Sequence, residues 1–77
     1  MNTKTMKEKL MNHNNIVTFS NENGDELVFM FSENLGKFIT EFNSKFFSTS
    51  KTITTPLKKF NEMAEKHNIN LNYVYSS

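Results

Sequence analysis

Two short runs of alternating apolar and polar residues, joined through an asparagine–glycine pair, constrain this chain more than any other feature. Ile16-Val17-Thr18-Phe19-Ser20 and Glu26-Leu27-Val28-Phe29-Met30-Phe31-Ser32 have the two-residue period of half-buried strands. Between them lies Asn21-Glu22-Asn23-Gly24-Asp25, and Asn-Gly is a strong hairpin signal because glycine accepts a positive φ. A two-residue Asn23-Gly24 turn sets Glu22 against Asp25, a like-charge pair that destabilises a sheet. It also sends Phe19 and Phe29 to opposite faces. A three-residue loop, Glu22-Asn23-Gly24, pairs Phe19 with Leu27 and Val17 with Phe29. Val17, Phe19, Leu27, Phe29 and Phe31 then share one face, with Ile16, Thr18, Glu26, Val28 and Met30 on the other. Slipping by one residue exchanges the faces, so burial selects the three-residue loop.

The segment after Ser32 carries Leu35, Phe38, Ile39, Phe42 and Phe46 at spacings close to 3.6 residues. This reads as an amphipathic helix capped by Ser32 or Asn34 and reaching about Phe47. Glu33 with Lys37 and Glu41 with Lys45 are i,i+4 pairs that would support it, and Gly36 falls in its first turn. The N-terminal residues 3–12 read as a short helix capped by Thr3, with Met6, Leu10 and His13 on one side, ended by Asn12-His13-Asn14-Asn15. Residues 51–54 have β character around Ile53. Thr55-Pro56 starts another helix, with Leu57, Phe60, Met63 and Ala64 inward, that stops near His67-Asn68. Ile69, Leu71, Tyr73 and Tyr75 then alternate with polar residues as a strand would. The expected domain is a single α+β unit spanning 1–77, with the order α-β-β-α-(β)-α-β. It has a three- to four-stranded, mainly antiparallel sheet, two helices across one face and a short N-terminal helix.

Seventy-seven residues leave a thin margin of stability, and small domains often rely on disulfides or a metal. The chain has 0 Cys, which removes disulfides and thiolate zinc sites. Its 8 Phe and 2 Tyr take over that role, each ring burying about 150–250 Å². No apolar run is long enough to span a bilayer and no secretory h-region follows Met1, so the expected location is the cytoplasm, without membrane association. The 12 Asn, 9 Lys and 8 Phe with no Arg favour A/T-rich codons and point to an AT-rich genome such as that of a phage or plasmid.

The net charge of +1 conceals a segregation. Glu22, Asp25, Glu26, Glu33 and Glu41 against Lys37 make residues 21–41 acidic, while both flanks are basic. Catalytic constellations are missing. His13 and His67 stand apart at the ends of expected helices, where a helix dipole favours them. The two glycines are isolated, so there is no phosphate loop, and the carboxylates lack calcium-loop spacing. We therefore expect neither enzyme activity nor a cofactor or metal. Glu22, Asp25, Glu26 and Glu33 suit docking to a basic surface of a host protein. Lys51, Lys58, Lys59 and Lys66, with the lysines near the N-terminus, offer the alternative of phosphate-backbone binding in a small nucleic-acid-binding regulator. The apolar residues left on the second hairpin face, Ile16, Val28 and Met30, raise a third option, a homodimer.

The run Asn23-Gly24-Asp25-Glu26, then Ser32-Glu33-Asn34, then Lys37-Phe38-Ile39 and Phe42, resembles the hairpin-to-helix passage of small phage-encoded anti-CRISPR inhibitors. The resemblance covers about 20 of the 77 residues. It implies a non-enzymatic phage or mobile-element protein that inhibits a host defence nuclease by laying an acidic surface on its DNA-entry region. The mildly basic whole and the helix–strand ending depart from that pattern.

Overall fold

Asn2 opens the first helix of the computed structural model, which describes residues 1–74. Its side chain accepts a hydrogen bond from Thr5 N at 2.8 Å, so the cap sits one residue before the expected Thr3. Helix α1, Thr3–Asn12, buries Met6 and Leu10 as its period requires. It ends where Asn14 and Asn15 take φ of 57° and 67°, and Asn15 N reaches back to the Leu10 carbonyl at 2.7 Å.

Strands β1, Ile16–Ser20, and β2, Glu26–Ser32, pair antiparallel with Phe19 opposite Leu27 and Val17 opposite Phe29. This is the register that burial selects. Gly24 has φ +83° in the loop. Val17, Phe19, Leu27 and Phe29 are fully buried, and Phe31 is partly buried beside them.

The expected central helix is instead a second hairpin. Strand β3, Lys37–Phe42, pairs with β2, and β4, Lys45–Ser50, pairs with β3, completing an antiparallel sheet of order β1-β2-β3-β4. Two local features oppose the helix. Gly36, at φ +64°, turns the chain back with its N–H on the Ser32 carbonyl at 2.7 Å. Asn43 and Ser44, at φ 50° and 71°, occupy the two-residue turn that sets Phe42 opposite Lys45. Positive φ at both central residues matches the right-handed twist of the flanking strands. Between these turns the rings and β-branched residues of 38–49 fit a pleated surface better than a helix. Leu35 and Phe46, assigned to the helix stripe, are 63% and 73% exposed. Phe38, Thr40 and Phe42 share the inner face with Phe29 and Phe31, whereas Lys37, Ile39 and Glu41 face outward. An irregularity opposite Thr40 and Glu41 leaves Phe47 as an extra residue on β4 and turns its ring toward the core.

Residues 51–53 form a bend rather than a strand, with Ile53 buried. Helix α2, Thr54–Lys66, begins one residue before the expected cap, and Pro56 sits in its first turn, where no N–H partner is needed. It buries Leu57, Phe60 and Ala64 as its spacing implies. Its end is closed by Asn68 at φ 53°. Asn68 N donates to the Glu65 carbonyl at 3.4 Å and Ile69 N to the Ala64 carbonyl at 2.9 Å. Among the described residues beyond it, the expected strand does not form. Residues 69–74 are turns and irregular chain, with Ile69 buried and Tyr73 exposed; Tyr75 and Ser76 lie outside the described residues.

The class is therefore α+β, a four-stranded antiparallel sheet with both helices on one face. The order is α-β-β-β-β-α. Phe60 is the keystone: its ring meets Phe19 edge-on at 5.8 Å and Phe29 at 5.2 Å. Replacing Phe60 with Ala should cost about 3–5 kcal/mol. The same change at Phe46, a surface ring here, should cost under about 1 kcal/mol. Urea midpoints of the two variants check this, and a larger loss at Phe46 than at Phe60 would contradict the strand assignment.

Candidate functional site

One end of the domain gathers the β1–β2 loop, the β3–β4 turn and the end of α2. Asn21, the last residue before the loop, organises that end. Its Oδ1 accepts from Asn23 N and Asp25 N, both at 3.0 Å, which folds the loop around one side chain. Its Nδ2 donates to Asp25 Oδ2 at 3.0 Å and to the His67 carbonyl at 2.8 Å, tying the loop to helix α2. Asn43 does the corresponding work from the other hairpin. Its Nδ2 donates to Asp25 Oδ1 at 3.0 Å and its Oδ1 accepts from Glu26 N at 2.8 Å.

Asp25 is thus gripped on both oxygens. The hydrogen bond from Asn21 lowers its pKa below the ordinary 3.8 most strongly, followed by that from Asn43, with a smaller electrostatic contribution from His67; partial desolvation opposes them. The His67 ring stacks on Phe42, with centroids 4.3 Å apart and planes at 25°. It borders a polar hollow with Ser20, Asn21, Glu22, Asn23, Asn68 and Asn70. No lysine lines that hollow, and no three metal-ligating side chains converge among the described residues.

The four candidate carboxylates separate into two groups. Glu22 and Glu26 are exposed at the braced end, with Asp25 half-buried between them as its internal anchor. Glu33 is also exposed, but it lies in the β2–β3 turn at the other end of β2, where it accepts from Asn15 Nδ2 at 3.1 Å. Glu26 opens β2, so the seven residues of that strand carry the chain about 3.3 Å per residue from Glu26 to Glu33. Lys51 precedes α2, and Lys58, Lys59 and Lys66 project from it, all exposed. Lys59 and Lys66 border a shallow hollow over Phe47 and Met63.

Asn21, Asn43 and His67 did not stand out as site residues in the sequence. Asn21, four residues before Asp25 at the mouth of a hairpin, carries a legible signal for a side-chain-bonded turn. Asn43 was concealed by the helix reading of its segment. Comparison with known proteins finds no family model, no curated protein and no solved structure that matches the chain.

The brace has a pH signature. A carboxylate whose folded pKa is lowered adds stability above its unfolded pKa and loses it as pH falls through the folded value. The Asp25 contribution should therefore be complete well above pH 3.8 and decline below it. Urea midpoints measured from pH 7 down to about 2 should fall less steeply for Asp25→Asn than for the native chain. Asn21→Ala, which removes four hydrogen bonds, should cost about 1–3 kcal/mol at pH 7. Parallel acid profiles for native and Asp25→Asn chains would rule out the brace.

Proposed function

We propose that this chain is a non-enzymatic binding protein that docks a basic surface of a host protein through its acidic hairpin end and blocks that protein's action. The observation that supports this reading is the brace itself. Asp25, Asn21 and Asn43 fix the loop while leaving Glu22 and Glu26 exposed beside it. A loop held before contact loses little conformational freedom on binding, so more of the contact energy appears as affinity. Carboxylates exposed on such a loop also steer encounter with a basic partner and speed association. Glu33, at the far end of β2, contributes to a second contact zone only if the partner spans the sheet. A phage or mobile-element origin, and a target among nucleic-acid-handling defence enzymes, belong to the same proposal. They rest on the AT-rich composition and on the anti-CRISPR resemblance, in which the part expected to be helical is here strand β3.

A specific observation also keeps the nucleic-acid reading in view: Lys51, Lys58, Lys59 and Lys66 are all exposed, three of them on one helix. The two readings separate by charge reversal. Capture of one partner from host lysate should be lost with Glu22→Lys/Glu26→Lys and kept with Lys58→Glu/Lys59→Glu, with circular dichroism unchanged in both. Asp25 is left intact because it serves the fold. Capture that survives the glutamate reversal would overturn the acidic-end proposal. Affinity for a short DNA or RNA duplex that falls steeply with salt and disappears with the lysine reversal would establish the alternative.

A further inference from the structure

Both helices pack on one face of the sheet, and no element of the described residues covers the other. Registered across the strands, that outer face has a simple plan. Ile16, Met30, Ile39 and Thr49 lie side by side on β1 to β4 and form one row. The next row toward the hairpin end holds Thr18, Val28, Glu41 and Phe46. The row on the opposite side holds Ser32 and Lys37. Lys37 and Glu41 therefore stand on β3 at equal distances either side of Ile39. Neither faces a charge within its own sheet. Lys37 lies beside Ser32, and Glu41 lies between Val28 and Phe46.

We propose that this face binds a second copy of the chain, with a two-fold axis running along the Ile16–Met30–Ile39 row. That axis lays each apolar residue of the row against its own counterpart. It also places Lys37 of each copy over Glu41 of the other, twice per dimer. Charge selects this axis over the alternatives. An axis along β3 would stack Lys37 on Lys37 and Glu41 on Glu41, and one along the Glu41 row would bring the two glutamates together. The strands of the two sheets run nearly in line under the row axis, the arrangement that twisted sheets adopt when they pack face to face. In an isologous contact of this kind a single surface supplies both halves of each pair.

Area sets the strength. Four strands about 4.8 Å apart and six residues about 3.3 Å long give a face of roughly 19 by 20 Å. Two such faces together cover about 760 Å² in projection, less than a standard specific interface, so the dimer should be weak and concentration-dependent. Phe46, 73% exposed in the single chain, lies on this face and gains cover from the partner. Glu26, one row beyond Val28 on the same face, lies at the rim of the dimer contact, whereas Glu22 in the hairpin loop stays clear of it.

Sedimentation velocity on the full chain, from about 5 to about 500 µM, tests the proposal. The weight-average mass should climb from one chain toward two. Lys37→Glu alone and Glu41→Lys alone should each shift the midpoint at least about tenfold higher in concentration, because each places like charges across the axis. The double variant Lys37→Glu/Glu41→Lys restores opposite charges and should return the native midpoint. Unchanged circular dichroism is expected in all three, since both positions face uncharged neighbours. A native chain that stays monomeric throughout would overturn the proposal. So would single reversals without effect, or a double variant that fails to recover, which would move any association to another surface.

Discussion

The edge-on meeting of Phe60 with Phe19 and Phe29 is the contact on which the rest of this structure depends. A sheet of four short strands has no interior until something covers one face. Here the cover is chiefly a single helix with one large ring at its centre. Phe19 and Phe29 belong to different strands of the first hairpin, so Phe60 reports on its register: a one-residue slip would remove both partners at once. Met6 and Leu10 close the β1 side of the same core, and Leu57, Ala64 and Ile69 extend it along the second helix. With no disulfide available, this arrangement of rings supplies the stability that a cross-link would otherwise add.

Asparagine has a structural role that its abundance alone does not reveal. Asn2 caps the first helix; Asn14 and Asn15 end it; Asn43 shares the tight turn of the second hairpin; Asn68 ends the second helix. Four of these five hold a positive φ, a conformation that asparagine tolerates better than other residues with a side chain. Asn21 and Asn43 add a second use, since their amides both donate and accept, and so link loop backbone to the Asp25 carboxylate. The acidic end is consequently a rigid part of the fold, which connects its architecture to the binding role proposed for it. The same organisation leaves the sheet two-sided: one face committed to the helices, the other carrying an apolar row between a lysine and a glutamate.

Much of this was legible in the residues. The first hairpin, its loop length and its buried face follow from alternation, a like-charge conflict and the Asn-Gly pair. Both helices at the ends of the fold follow from apolar spacing, with their stops marked by asparagine. The acidic group was only half legible. Glu22, Asp25 and Glu26 are neighbours in the chain and remain so in space, but Glu33 sits a full strand away. The loss of one exposed candidate, Asp25, to an internal role was not visible, because its second partner, Asn43, comes from a turn placed inside a helix.

The sequence by itself determined the turn of the first hairpin, the stops of both helices and which face of β1–β2 is buried, since each depends on neighbours a few residues apart. Its apolar spacing read as a helix to about Phe47, where the structure has strands β3 and β4. Phe38, Ile39, Phe42 and Phe46 satisfy a 3.6-residue period, while Phe38, Thr40 and Phe42 satisfy a two-residue one. Tertiary structure decided between them. The open edge of β2 offers backbone hydrogen bonds to an extended β3, and Phe31 offers the Phe38 ring a partner 4.9 Å away. A helix in that place would leave the edge unpaired. Partners distant in sequence settle such a case because two periods that fit the same side chains differ only in what lies beside them.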